Sequence, residues 1–221
     1  QYVTDVLGSN PESGTIDTYQ WLYGGVMSNG QRVFYGHAGG DINVDVGRDI
    51  TMEGASRKTT DWLYRIEGER EFTTLDSSLN LVTFSKYMST WGVQYDNFAN
   101  GIGTLGGGDI DVNVGRDAVN LTLAAPTTAM QIGAIPVDGN SVSSNEVLIR
   151  GGGDIAVTTG NDILSGHYLV SDGRLNVIAG GSMMNAAQND VATAVTFGKA
   201  DMSLKARKHI DVTRVMDQGM V

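Results

Sequence analysis

The sequence predicts an all-β protein whose short strands wind into the stacked coils of a parallel β-helix. Three observations lead to this prediction: a strand-like motif recurs along the chain, each copy alternates apolar and polar residues, and glycine is abundant. The 221 residues include 30 glycines but only 3 prolines and no cysteine. Many glycines suit tight turns between strands, and few prolines suit a sheet in which most backbone N–H groups donate hydrogen bonds.

The motif occurs in five copies, which we call repeats 1 to 5. Repeats 1 to 3 align without gaps, and each follows two or three glycines. Repeats 4 and 5 are weaker copies. The five repeats span residues 41–50, 109–118, 154–163, 174–183 and 201–210. Self-similarity of this kind is typical of repeat architectures, in which neighbouring units complete one another's core.

Each repeat has the period of a half-buried strand. In repeat 1, Ile42, Val44 and Val46 fall on one face, and polar residues alternate with them. The glycine after this strand is predicted to occupy a corner that needs positive φ. It is Gly47, Gly115, Gly160 and Gly180 in repeats 1 to 4, and Arg207 replaces it in repeat 5. A second short strand is expected to begin three residues after the glycine.

The spacing of the repeats predicts how many coils the chain forms. The repeats are 68, 45, 20 and 27 residues apart, counted between the residues Ile42, Ile110, Ile155, Leu175 and Met202. The 20-residue step fits three short strands and three corners, which make one coil. The 45-residue step is expected to hold two coils, and the 68-residue step three coils or one coil with a long excursion. About ten coils would span about 50 Å.

The chain is interpreted as one β-helix segment over residues 1–221, and as a piece of a larger protein because it opens without an initiator methionine or signal stretch. Residues 53–105 break the glycine–aspartate pattern and are predicted to be an insertion or irregular coils. Residues 185–208 are compatible with a short helix, but the alternation of Met202, Leu204 and Ala206 favours a strand. An antiparallel sandwich is the rival fold, and it does not explain the matched register of Gly and Asp.

Composition narrows the classes of partner. A formal net charge of −10 at pH 7 argues against nucleic acid, because phosphate binding needs a basic face. The absence of cysteine excludes disulfides and thiolate metal sites. The sequence contains no apolar run long enough to predict a membrane-spanning helix.

The repeat phrase resembles that of a known family. Repeat 3 with its leading glycines reads Gly-Gly-Gly-Asp-Ile-x-Val-x-x-Gly-x-Asp-Ile. It is followed by Ser-Gly-His-Tyr-Leu-Val at 165–170 and Asp-Gly-Arg-Leu-Asn-Val-Ile-Ala-Gly-Gly at 172–181. Over residues 39–52 and 106–213 this pattern is similar to the filamentous haemagglutinin family. That family comprises very large exoproteins of the two-partner secretion route, including adhesins and contact-dependent growth inhibition proteins.

The resemblance implies a right-handed β-helix shaft, secreted through an outer-membrane transporter partner and displayed at the bacterial cell surface. The family's amino-terminal secretion domain carries Asn-Pro-Asn motifs, and the nearest match here is Asn10-Pro11-Glu12. The chain therefore looks like shaft and not like the secretion domain. The motif brings no catalytic residues with it.

Three aspartates hold the same place in repeats 1 to 3, namely Asp41, Asp109 and Asp154. One interpretation is a Ca²⁺ site, because clustered carboxylates suit that ion. The other, which we favour, is that each Asp caps its turn through its own backbone. The long spacings predict that these aspartates do not lie in adjacent coils, and so neither a metal site nor another cofactor is expected.

Aromatic residues form the second candidate site. Fourteen of the sixteen aromatic residues precede residue 100, and those of the predicted insertion stand beside a charged run. An inserted hairpin could present them to a glycan or a protein receptor, whereas the alternative is that they pack onto the shaft. The candidate ligand-binding residues are Trp62, Tyr64, Tyr87, Trp91 and Tyr95.

These observations predict a non-enzymatic structural and adhesive segment: a rigid spacer whose aromatic-rich insertion binds a receptor or glycan on a host or neighbouring cell. A self-assembling extracellular filament subunit is the alternative, because both ends of a β-helix are open edges that permit end-to-end association. A β-helical carbohydrate-active enzyme using Arg48, Arg116 or Lys86 is a weaker alternative. The three histidines, at 37, 167 and 209, lack the spacing of a metal site or a triad.

Overall fold

The structure is a computed structural model that describes residues 21–23, 25–26, 32–33, 39–52, 59–94, 97–98, 100–132, 146–186 and 193–217. The regular structure of these residues consists of strands and one 3-10 turn, η1 (Thr59–Asp61). In chain order the strands are β1 (Trp21–Tyr23), β2 (Gly25–Val26), β3 (Arg32–Val33), β4 (Ile42–Val46), β5 (Ile50–Thr51), β6 (Leu63–Leu75), β7 (Leu81–Gln94), β8 (Ile102–Gly103), β9 (Ile110–Val114), β10 (Ala118–Ala125), β11 (Thr127–Ile132), β12 (Glu146–Gly151), β13 (Ile155–Thr159), β14 (Ile163–Ala179), β15 (Met183–Met184), β16 (Ala194–Ala206) and β17 (Arg214–Asp217).

The larger of two sheets contains all five repeats. Its strand order is β17-β16-β14-β13-β9-β4, and β5, β8, β10 and β15 pair alongside this path. All of its described pairings are parallel. The prediction of an all-β protein is therefore confirmed, and the antiparallel alternative is wrong for the repeats.

Each repeat pairs with the next one in the gapless register of the sequence alignment. The first apolar residues that face one another across the sheet are, in order, Ile42, Ile110, Ile155, Leu175 and Met202. The second strands keep the same register, through Ile50, Ala118, Ile163 and Met183. Adjacent repeats in the sequence are thus adjacent strands in the sheet.

The predicted contents of the longer steps must be corrected. The 45-residue step advances the chain by one strand position and not by two, because Ile110 pairs directly with Ile155. The 68-residue step likewise advances by one position, which matches the alternative of a long excursion. Within these steps, the described strands β6, β7, β11 and β12 pair in the smaller sheet. The described residues therefore stack five repeats where the spacing predicted about ten coils.

All five repeats contribute to one hydrophobic core. Residues of repeats 1 and 5, such as Val44, Val46 and Leu204, are partly buried against it. The fully buried members from repeats 2 to 4 and the strands that follow them include Ile110, Val112, Leu121, Leu123, Ile155, Val157, Ile163, Tyr168, Leu175, Val177 and Met183. The aliphatic side chains of successive repeats therefore meet one another and do not fill separate interiors.

The smaller sheet, in the order β1-β11-β12-β6-β7-β2-β3, collects strands from outside the repeats. Its main feature is the hairpin β6–β7, paired from Leu63↔Val93 to Leu75↔Leu81. This hairpin falls within residues 53–105, the predicted insertion. Farther along the chain, the strand preferred at Met202, Leu204 and Ala206 is confirmed, because they lie in β16.

The corner glycines differ from the prediction in backbone geometry. Gly47, Gly115, Gly160 and Gly180 do not have positive φ, whereas Gly108, Gly153 and Gly173, which directly precede repeats, do. A Cβ at position 115, 160 or 180 would instead lie closer than 3.0 Å to the carbonyl oxygen of the equivalent glycine in the preceding repeat. Glycine is therefore required there because two backbones approach closely.

Candidate functional site

The first candidate site, at Asp41, Asp109 and Asp154, is a column of carboxylates running across the repeats. Each Oδ1 accepts a hydrogen bond from the backbone N–H at the same position of the next repeat. The distances are 2.9 Å from Asp109 N to Asp41, 2.8 Å from Asp154 N to Asp109 and 2.8 Å from Arg174 N to Asp154. The column ends at repeat 4, because Arg174 has no acceptor in its side chain.

A second column lies at the other end of the same strands, and the sequence analysis missed it. Oδ1 of Asp49 accepts from Asp117 N at 3.2 Å, Oδ1 of Asp117 from Asp162 N at 2.9 Å, and Oδ1 of Asp162 from Ser182 N at 2.6 Å. The signal was present in the sequence, because each strong repeat has a second Asp eight residues after the first.

These contacts correct the predicted role of the aspartates. Asp41 and Asp109 lie in adjacent repeats, contrary to the expectation, and each carboxylate caps its neighbour's backbone and not its own. The carbonyl of Asp109 meanwhile accepts from Ile42 N at 2.8 Å, so both polar groups of this residue's backbone bond to repeat 1. The described residues contain no group of three or more His, Asp or Glu that could hold a metal ion.

An ion pair joins repeats 1 and 2 beside the second column. The Arg116 guanidinium binds both carboxylate oxygens of Asp49, with Nε 3.0 Å from Oδ1. This contact raises the pKa of Arg116 and holds the pKa of Asp49 below its usual value. Arg116, one candidate basic residue of the enzyme alternative, therefore joins two repeats. Lys86, another candidate, lies on β7 in the smaller sheet.

The two tryptophans of the second candidate site are buried. Trp62 is 1% exposed and Trp91 is 6% exposed, and both pack in a cluster with Ala124 and Leu169 of the larger sheet. The Trp62 ring also meets the edge of Phe98, with ring centroids 4.7 Å apart. These positions favour the packing interpretation for both tryptophans, since neither presents its ring to solvent.

The tyrosines of the second site are placed differently. Tyr87 is 58% exposed on β7, four residues from Trp91. Tyr64 lies in β6 opposite Gly92, and Tyr95 lies outside the described residues. The structure thus brings Trp62 and Trp91 together at the base of the hairpin and leaves Tyr87 in its exposed outer half.

The outer half of the hairpin, residues 73–87, is a surface that sequence reasoning did not delimit. Every residue in this range is exposed, although several are large and apolar. They are Leu75, Leu79, Leu81, Val82, Phe84 and Tyr87. The alternation of β-formers around Asp-Ser-Ser-Leu-Asn signals a hairpin, but it does not reveal which part of the hairpin leaves the core.

Asp76 fixes the turn at the tip of this hairpin. Its Oδ1 accepts hydrogen bonds from Asn80 N at 2.9 Å and Ser78 N at 2.8 Å. These contacts, led by the one with Asn80, lower the pKa of the Asp76 carboxyl. A turn held in this way presents the neighbouring leucines in a defined arrangement.

The histidines are not assembled into a catalytic or metal site in the part of the chain that the structure describes. His167 is buried, and its Nδ1 accepts a hydrogen bond from Thr59 N at 2.8 Å, which ties η1 to β14. His209 is exposed in repeat 5, and His37 lies outside the described residues.

Comparisons with known proteins bring no identification. No family model, curated protein or solved structure matches this chain. Within the described residues, no helix has the length and apolar character needed to cross a membrane.

Proposed function

We propose that this chain is a structural and adhesive segment of a large secreted bacterial surface protein similar to the filamentous haemagglutinins. In this proposal the repeats are coils of a right-handed parallel β-helix that acts as a rigid spacer. The observation that carries it is the gapless register of the five repeats around one core. A right-handed course is the usual one for parallel crossovers.

Rigidity follows from how the repeats are joined. Successive repeats share backbone hydrogen bonds and aliphatic packing. Between repeats 1 and 2, 2 and 3, and 3 and 4, an aspartate side chain also accepts a hydrogen bond from the backbone of the next repeat. A single coil would not fold alone, because fixing about twenty residues costs more than its few aliphatic side chains return. Neighbouring repeats therefore stabilise one another, and the stack resists bending as a unit.

The adhesive surface in this proposal is the outer half of the hairpin. It combines exposed Tyr87 and Phe84 with the leucines around the turn. Aromatic side chains provide large contact areas at low entropic cost, which suits both sugar rings and apolar protein patches. The partner is a receptor or glycan on a host or neighbouring cell, and an outer-membrane transporter handles the chain during secretion.

Cell binding tests the adhesive part of the proposal. Labelled protein is added to epithelial cells, erythrocytes and an array of glycans, and saturable binding is measured. The variant carrying Tyr87→Ser and Phe84→Ser should lose binding, while Ile178→Ser on the outer surface of repeat 4 should keep it. Absence of saturable binding by the unaltered chain, or equal binding by the hairpin variant, would overturn the adhesive role.

A further inference from the structure

The outer half of the hairpin, residues 73–87, carries large apolar side chains on both of its faces. Residues that pair across β6 and β7 share a face, and successive residues of a strand alternate between faces. Leu75 and Leu81 pair with each other on one face, and both are exposed. Val82 and Phe84 lie exposed on the opposite face. A flat partner can cover only one of these faces, so a partner that buries both must enclose the hairpin.

Leu79, at the tip, has a backbone conformation that leucine rarely adopts. Its φ is +63°, in the left-handed region where a Cβ is strained and where glycine or asparagine is usual. Its side chain is 78% exposed, so the fold gains little packing in return for the strain. A strained residue with a large apolar side chain directed at solvent is typical of a contact made outside the molecule.

The character of this surface does not suit a sugar. Sugar hydroxyls that lose water on binding need polar partners in the site. The nearby Thr73 and Thr83 hydroxyls already bond to each other at 3.1 Å. Phe84 and Tyr87 are three residues apart in β7 and therefore lie on opposite faces, so their rings do not form one platform for stacking. The surface favours an apolar partner over a glycan.

Asp76 argues against a lipid bilayer as that apolar partner. It lies at the tip between Leu75 and Leu79, so it would enter the hydrocarbon together with them. Hydrogen bonds from Asn80 and Ser78 hold the pKa of its carboxyl below the usual value, and the group is therefore ionised at neutral pH. A charge in hydrocarbon is costly, whereas a protein cleft can place a polar group beside it.

We propose that the outer half of the hairpin binds in an apolar cleft of a receptor protein on the target cell, and that the rim of this cleft is acidic. The inference rests on the adhesive role proposed above and names the class of the receptor. An enclosing cleft explains why both faces and the tip expose large apolar side chains. Such a contact buries the aromatic and aliphatic groups at its centre and leaves charges at its margin.

Lys86 is the reason to expect an acidic rim. It is exposed on the same face as Phe84, two residues farther from the tip. Within the part of the chain that the structure describes, its ammonium makes no hydrogen bond or ion pair. A cleft that takes in Phe84 brings its margin to Lys86, where a carboxylate of the receptor would complement the charge.

Substitutions on each face test the enclosure. Leu81→Asp and Val82→Asp lie on opposite faces, and each alone should weaken binding of the labelled 221-residue chain to epithelial cells about tenfold. Ile178→Asp, on the outer surface of repeat 4, should leave binding unchanged. Circular dichroism and the urea midpoint check that all three variants fold. If only one of the two hairpin substitutions weakens binding, the partner is one-sided and the inference is overturned.

Leu79→Asn separates an external role of this side chain from a structural one. Asparagine adopts the left-handed conformation more readily than leucine, so the urea midpoint should rise. Cell binding should fall about tenfold, because the apolar side chain at the tip is lost. Unchanged cell binding would contradict the external role, and a lowered urea midpoint would contradict the strain.

A charge reversal tests the acidic rim. Lys86→Glu should weaken cell binding about tenfold, mainly through slower association, and the loss should shrink as salt is added. Lys199→Glu, at an exposed lysine of β16, should bind like the unaltered chain. Equal binding by the two variants would contradict the acidic rim.

Treating the cells identifies the class of partner. Proteinase K digestion of the cell surface should abolish binding, periodate oxidation of surface glycans should leave it unchanged, and phosphatidylcholine vesicles should not bind the chain. Loss after periodate, or binding to vesicles, would overturn the protein cleft and leave the adhesive role intact. Absence of saturable binding to any cell would overturn both, so the two failures are distinct results.

Discussion

Gly and Asp recur at fixed positions because each of them makes a contact with the neighbouring repeat possible. The glycine at a corner makes room for the carbonyl of the preceding repeat, and the aspartates at both ends of the strand cap the N–H groups of the following one. The sequence was sufficient to place these residues in register. It was insufficient to give their role, because a corner that needs positive φ and a close backbone approach both select glycine.

Removing one cap should weaken the stack measurably. Asp109→Ala leaves Asp154 N without its carboxylate acceptor, and we expect the free energy of unfolding in urea to fall by about 1 kcal/mol. Asp109→Asn keeps an oxygen acceptor and should lose about half as much. Equal stability of Asp109→Ala and the unaltered chain would show that the column contributes nothing.

Matched glycine variants separate close approach from backbone conformation. Gly115→Ala puts a Cβ against the Gly47 carbonyl and should lower the free energy of unfolding by about 2 kcal/mol. Gly47→Ala, at the same place in repeat 1, should change it by about 0.5 kcal/mol or less. Urea unfolding followed by circular dichroism measures both, and similar losses in the two variants would refute the explanation.

The Asp49–Arg116 pair should make stability depend on pH in acid. Because the native pKa of Asp49 is lowered, its carboxylate stabilises the fold above its unfolded pKa of about 4, and this contribution is lost as pH falls through the lower native pKa. Asp49→Asn removes the effect. The difference in unfolding free energy between the two proteins should therefore shrink between about pH 5 and about pH 2, and a constant difference over that range would contradict it.

Among the secondary-structure elements, alternation predicted the strands well and the excursions poorly. The alternating apolar residues at 202–206 predict a strand, and β16 contains these residues. The long steps were misjudged because residue count alone does not distinguish extra coils from strands that leave the stack. The hairpin β6–β7 shows the same limit, since its base is buried against β10 and β14 while its outer half is exposed.

Two aromatic variants of the hairpin should differ in how much they change the free energy of unfolding. Trp91→Ala empties a buried site between the sheets and should lower the free energy of unfolding by about 3 kcal/mol. Tyr87→Ala alters an exposed side chain and should change stability by about 0.5 kcal/mol or less. Thermal and urea unfolding measure both, and a stable Trp91→Ala variant would remove the argument that the hairpin base is packed onto the repeats.

At the scale of the whole molecule, the residues that the structure describes form one stack of five repeats with a second sheet packed on its side. A sequence alignment predicts which residues of two repeats stand opposite one another. It does not predict which repeats are neighbours in the sheet, and the strand pairings supply that information. The alignment could equally have joined repeats that lie coils apart. The strand pairings show that repeats 1, 2 and 3 are successive neighbours in the sheet.

Designed disulfides test that neighbourhood directly, because the chain has no native cysteine. Asp45, Asn113 and Thr158 are exposed at the same position of repeats 1, 2 and 3. Asn113→Cys with Thr158→Cys should oxidise readily, since neighbouring strands lie about 4.8 Å apart. Asp45→Cys with Thr158→Cys, about 10 Å apart, should stay reduced. Mobility on denaturing gels before and after reduction reports both, and cross-linking of the second pair without the first would contradict the stack.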